Sequence, residues 1–181
     1  MTNIDRIIDN TIGKEGKYSN HPSDRGGETM WGMTVAVARA NGYNDAMRMM
    51  PRTVAFDIFK KEYFIKPGFA SVALYNEAIA EELFDTGVNM GQKVACRIFQ
   101  VALNGLNRRQ VDYTNVEVDG DIGPATLKAL QKYLSFRGGK GVIVMLKALN
   151  VLQGARYFDI TPEDDQNEDF LFGWLDNRVG I

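Results

Sequence analysis

The 181-residue sequence has one cysteine, Cys96, and one histidine, His21. An intrachain disulfide is therefore impossible, and a Cys/His nucleophilic pair has only one available composition. A zinc site would have to be assembled mostly from carboxylates, which zinc rarely accepts as a full set. Neither a metal nor an organic cofactor is expected. Excess charge is missing as well: the formal net charge is -2, without the basic field that nucleic-acid binding draws on. No apolar run reaches the length of a membrane span, and the N-terminal Met1-Thr2-Asn3-Ile4-Asp5-Arg6 lacks the core of a signal peptide. The expectation is a chain without a membrane anchor or nucleic-acid partner, acting as a monomer, made in and retained by a cytoplasm until something else releases it.

What is present is an ordinary globular composition, 45% hydrophobic and 24% charged, enough for one compact core with a small appended subdomain. Residues 15–34 concentrate the ionisable, aromatic and turn-forming side chains. Ahead of them, Ile4, Ile7, Ile8 and Ile12 recur at helical spacing behind Asn3, a suitable N-cap. A helix continuing through Gly13 projects Glu15 onto the centre of that isoleucine stripe. A carboxyl against an apolar wall at the negative end of a helix is pushed towards its neutral form, which a general acid needs. The alternative is an exposed Glu closing a helix.

Gly16, Pro22, Gly26, Gly27 and Gly32 then break the helical pattern, and Tyr18, Thr29, Met30 and Trp31 favour short extended pieces. A small β-hairpin or loop lobe follows. It would hold Asp24 across a cleft from Glu15, with Tyr18 and Trp31 as sugar-stacking surfaces, the arrangement that acid/base cleavage of a glycosidic bond requires. Asp24 is equally a turn former, and Trp31 a core anchor.

Glu15-Gly16-Lys17-Tyr18-Ser19 followed by Asp24-Arg25-Gly26-Gly27-Glu28-Thr29-Met30-Trp31-Gly32-Met33-Thr34 resembles the signature of the glycosyl hydrolase family 108 muramidases, EGGYS then DxGGxTxxGI. Lys17 stands where the family has its second glycine. These enzymes belong to the lysozyme-like superfamily and include phage endolysins. The resemblance implies Glu15 as catalytic acid and no cofactor, and a further likeness to the Glu, Asp, Thr arrangement of the phage lysozymes adds Asp24 and Thr29. In the phage lysozymes five residues separate Asp from Thr, whereas Asp24 and Thr29 have four between them.

Downstream the chain reads as helices. Thr34 caps a short one ending near Gly42, and residues 51–64 carry Val54, Ile58 and Phe59 on one side. Residues 76–89 bury Ile79, Leu83 and Phe84, and residues 93–106 turn Val94, Ile98, Val101 and Ala102 inward with Cys96 close by. Residues 84–91 resemble the family's FDTAVNxG segment, placing Asn89 and Asp85 at the substrate cleft or as helix caps. Val118-Asp119-Gly120-Asp121-Ile122-Gly123-Pro124-Ala125-Thr126-Leu127 is similar to the DGxxGPxT turn of peptidoglycan-binding modules, and reads equally as a turn and helix start. Arg137-Gly138-Gly139-Lys140-Gly141 reads as a flexible link before a long helix, and residues 172–179 resemble the family's FxxGWxNRV close.

The fold expected is mainly α and lysozyme-like, with a small hairpin lobe beside Glu15 and a helical C-terminal subdomain. Residues 1–92 would be catalytic, and residues 93–181 a peptidoglycan-binding region packed on them. The function implied is an endolysin-type N-acetylmuramidase acting on bacterial peptidoglycan. Its catalytic set would be Glu15, Asp24 and Thr29, with Tyr18, Trp31 and Asn89 contacting substrate. It would accumulate in a host cytoplasm and reach the periplasmic wall after membrane permeabilisation. The rival readings are a lytic transglycosylase, a chitinase, and a non-catalytic peptidoglycan-binding or tail protein.

Overall fold

The computed structural model of the chain describes residues 3–14, 18–20, 27–163 and 166–180. By packing it divides into two units, Met1–Lys66 and Pro67–Ile181. The mainly α architecture with one small hairpin follows the sequence expectation.

In the first unit, α1 (Asn3–Lys14) runs through Gly13, and its isoleucine stripe buries Ile8 and Ile12 completely. Strands β1 (Thr29–Met30) and β2 (Met33–Thr34) pair antiparallel. Helix α2 (Val35–Ala40) starts where Thr34 Oγ1 accepts the Val37 N–H at 3.4 Å, as its sequence predicts. A 3₁₀ turn, Met47–Met49, leads through Met50 into α3 (Arg52–Phe59). Ala55, Ile58 and Phe59 of α3 are buried. The expected single helix over 51–64 instead loosens into a π-helical segment, Lys60–Ile65. There the Lys66 N–H reaches back to the Lys61 carbonyl at 2.9 Å. Two ion pairs latch α1 to this stretch, Arg52 to Asp9 and Lys60 Nζ to Asp5 at 2.8 Å.

The second unit opens with α4 (Phe69–Ala73), followed by α5 (Glu77–Met90), capped by Asn76 Oδ1 on the Ile79 N–H at 3.0 Å. Ile79, Leu83 and Phe84 are buried, as their spacing dictates. Helix α6 (Gln92–Gly105) packs on α5, but turned from the expected face. Ala95, Cys96, Phe99, Ala102 and Leu103 go inward, Val94 and Ile98 lie on the flank, and Val101 is exposed. Two helical stripes compete here, 94, 98 and 101 beside 95, 99, 102 and 103, and the large ring of Phe99 filling the core decides for the second.

Residues 137–141 are not a flexible link. Helix α7 (Pro124–Ile160) breaks only at Gly138, where φ is +56° and ψ -150°. The helix resumes at once, and the Tyr133 hydroxyl donates across the break to the Gly141 carbonyl at 2.8 Å. A Cβ at Gly141 would collide with Arg137 Cβ, so the glycines here permit a sharp kink rather than a tether. Helix α8 (Gln166–Arg178) closes the unit against α7.

Candidate active site

Segment 18–20 and the hairpin form one local structure. Ser19 and Thr29 exchange two backbone bonds, Ser19 N–H to Thr29 O at 3.0 Å and Thr29 N–H to Ser19 O at 2.8 Å. Thr29 pairs with Thr34 and Met30 with Met33, leaving Trp31 and Gly32 as a two-residue turn. Both have positive φ, 57° and 73°, the conformation that matches the right-handed twist of a tight hairpin. Gly32 adopts it freely, while for an aromatic residue it costs roughly 1–3 kcal/mol. The cost is offset by an anchor: Trp31 Nε1 donates to the Met50 carbonyl at 2.8 Å.

The expected site residues divide accordingly. Thr29 sits in β1 with its backbone engaged, half-buried. The Tyr18 hydroxyl donates to Glu28 Oε1 at 3.1 Å, and the Arg48 guanidinium lies 5.0 Å from the Tyr18 ring centroid. One face of that ring is thus occupied by a cation. The indole N–H of Trp31 is spent on Met50. Glu15, Asp24 and His21 lie outside the described residues. Asn89 belongs to the second unit, near the end of α5. It donates to the Asp85 carbonyl at 2.7 Å and to Asp85 Oδ2 at 3.2 Å.

Two side chains of the hairpin cluster escaped sequence reasoning. Glu28 was visible inside the signature as a carboxylate beside Thr29, but its link to Tyr18 spans ten residues. Arg48 gave no signal, because a 30-residue separation brings it to Tyr18 only through the turn at Met47–Met49.

The Asp-Gly turn resolves towards a structural role. Gln100, buried on α6, donates from Nε2 to Asp119 Oδ1 at 2.7 Å and the Asp121 carbonyl at 3.0 Å, and its Oε1 accepts the Gly120 N–H at 2.9 Å. Asp119 Oδ1 also accepts the Asp121 N–H at 2.8 Å. Its carboxyl is held below the usual carboxylate range, chiefly by the Gln100 bond. Gly120 has φ +82°, and a Cβ there would meet the Lys93 carbonyl at 3.0 Å. The polar groups of this motif are engaged in joining α6 to the start of α7.

Elsewhere in the second unit, burial pushes the Cys96 thiol up to about 12, with Asp121 adding to the shift. A thiol so held is no nucleophile. Among the described residues, no group of three or more His, Cys, Asp or Glu side chains is placed to hold a metal ion. Nor, among them, is any helix long and apolar enough to cross a membrane.

Two family models match the chain, one after the other. Residues 8–91 match the family described as glycosyl hydrolase 108. Residues 94–179 match a predicted peptidoglycan domain. No curated protein matches the sequence. Among solved structures the chain is similar to Brucella abortus SagA, with a TM-score of 0.66 and 21% identity over 93% of this chain and 85% of that one. That likeness shows the fold.

Proposed function

We propose, for a chain whose residues 8–91 belong to the glycosyl hydrolase 108 family and whose residues 94–179 form a predicted peptidoglycan domain, that it is an N-acetylmuramidase. The two regions make the chain a glycoside hydrolase directed at peptidoglycan. The bond we assign is the β-1,4 linkage between N-acetylmuramic acid and N-acetylglucosamine. The observation that carries the proposal is the union, in one chain, of a glycosidase region with the Glu15 signature and a peptidoglycan domain directly after it. Residues 1–92 are proposed as the catalytic part and 93–181 as the wall-binding part.

In this mechanism Glu15, protonated, delivers its proton to the leaving oxygen as the C1–O bond breaks. Asp24, with Thr29, orients a water on the opposite face of the ring and takes its proton as the new C1–O bond forms. Inversion follows if the two carboxyls stand about 6.5–9.5 Å apart. The latching of α1 to α3 and the anchoring of the hairpin to Met50 supply two rigid supports on either side of residues 15–26 in the sequence. Tyr18 and Trp31 offer ring surface to the sugar. A lytic, endolysin-type role belongs to the same proposal, with the enzyme reaching the wall once another protein opens the inner membrane.

Digestion of purified peptidoglycan, with products read by mass spectrometry, tests this. Reducing N-acetylmuramic acid ends from the wild type, and none from Glu15→Gln, are expected. Anhydro-muramic ends would make the chain a transglycosylase, and digestion of chitin in preference to peptidoglycan would make it a chitinase.

A further inference from the structure

Two segments singled out in the sequence, 84–91 and 172–179, have no part in the mechanism above, and the second unit brings them to one place. Asn89 and Met90 at the end of α5, Arg156, Tyr157 and Ile160 on α7, and Trp174 on α8 line a cavity of about 250 Å³. Its aromatic wall is built: Trp174 stacks on Tyr157 with centroids 5.0 Å apart and planes at 20°, and Phe170 stands 6.0 Å from Trp174. Tyr157 is buried, while Trp174 and Arg156 are half-exposed and Asn89 is exposed, so the polar and aromatic groups reach the cavity from an open side.

The Asp-Gly turn is no rival to this cavity as a ligand site, because its polar groups are engaged in the fold.

We propose that this cavity binds the muramyl unit of an anionic muropeptide, one N-acetylated ring with the start of its peptide stem, independently of the hydrolytic site. An aromatic wall takes the apolar face of a sugar ring, and Asn89 Oδ1, on an amide whose Nδ2 is held by Asp85, accepts an acetamido or peptide N–H. The Arg156 guanidinium pairs with a stem carboxylate, in the charge-assisted geometry that arginine favours. About 250 Å³ holds one ring rather than an extended chain, so recognition falls on a single muramyl unit and its stem. Chitin oligomers, which share the acetamido sugar but carry no carboxylate, bind weakly. The inference rests on the peptidoglycan reading above and adds the site and the moiety recognised.

The chain has two tryptophans, so the full-length Trp31→Phe, Glu15→Gln protein reports ligand at Trp174 alone and leaves the ligand uncut. Titration with a disaccharide–tetrapeptide should change Trp174 emission saturably. Arg156→Gln should raise Kd about 10- to 100-fold, the loss expected for a charge-assisted bond, and Arg156→Lys should recover part of it. Asn89→Ala, at an exposed position, should weaken binding without altering the melting curve. Chitopentaose should bind at least tenfold more weakly than the muropeptide. An emission that stays silent while calorimetry detects binding places the ligand elsewhere and overturns the proposal. So does an Arg156→Gln affinity equal to that of the parent. Neither result touches the muramidase reading, which the wild-type digest decides by itself.

Discussion

Trp31 donates its indole N–H to the Met50 carbonyl at 2.8 Å, so the turn of the hairpin is pinned to the segment that leads into α3. The bond explains how an aromatic residue holds a φ of 57°, and it separates two roles for the side chain. Trp31→Phe keeps a ring but removes the donor, and should cost about 1 kcal/mol, read as a lower urea midpoint. If the ring contacts sugar, the Phe variant keeps most of its kcat/KM on peptidoglycan and Trp31→Ala loses it. Equal activity in both would leave Trp31 a hairpin anchor only.

Gln100 and Gly120 make a similar test in the second unit. Gln100→Ala leaves the buried Gly120 N–H without its acceptor, and should destabilise by about 1–3 kcal/mol, the cost of a polar group stranded out of water. Gly120→Ala should also destabilise, through its φ of +82° and the Lys93 carbonyl at 3.0 Å. Chemical denaturation of the two variants measures both. A Gln100→Ala protein as stable as the parent would remove the motif's structural role and reopen a ligand role for it.

Glu82, on α5, gives the pH dependence. Burial, and then the charge of Asp85, raise its carboxyl from 4.5 to about 7, against a bond from Asn150 that lowers it. Between those two values the folded chain keeps a proton that the unfolded chain releases, so this group's contribution to stability is full below pH 4.5 and is lost as pH rises to about 7. The loss amounts to at most about 3 kcal/mol. Glu82→Gln mimics the protonated form. Its urea midpoint should match the parent's at pH 4 and exceed it at pH 8, and equal midpoints at both would contradict the assignment.

Cys96, with its thiol pushed up to about 12 and its Sγ 3.7 Å from the Pro67 carbonyl, should be inert to thiol reagents at pH 8 in the native chain. In denaturant it should react at least about a thousandfold faster, as an ordinary thiol does. Stopped-flow labelling with a disulfide reagent reads both rates, and rapid native labelling would show that the thiol is not held as described.

Local signals carried most of the fold. The isoleucine stripe of α1, the Thr34 and Asn76 caps, and the apolar face of α5 are each decided within a few residues, where spacing and capping chemistry dominate. Features set by distant partners were not legible. The face that α6 buries follows from Phe99 filling the core, and the kink at Gly138 follows from Tyr133 bonding Gly141, so both departed from the pattern reading. The hairpin was readable from its glycines, whereas the Arg48 to Tyr18 contact was not. Two of the three expected catalytic residues, Glu15 and Asp24, lie outside the described residues and are assigned from the sequence signature.

The most direct test of the central claim is a digest of purified peptidoglycan by the wild-type chain and by Glu15→Gln, with soluble products analysed by mass spectrometry after borohydride reduction. The account predicts reducible N-acetylmuramic acid ends from the wild type, and a loss of at least about 10²–10⁴ in rate for a folded Glu15→Gln chain. A Glu15→Gln chain that releases the same ends at the wild-type rate would contradict it.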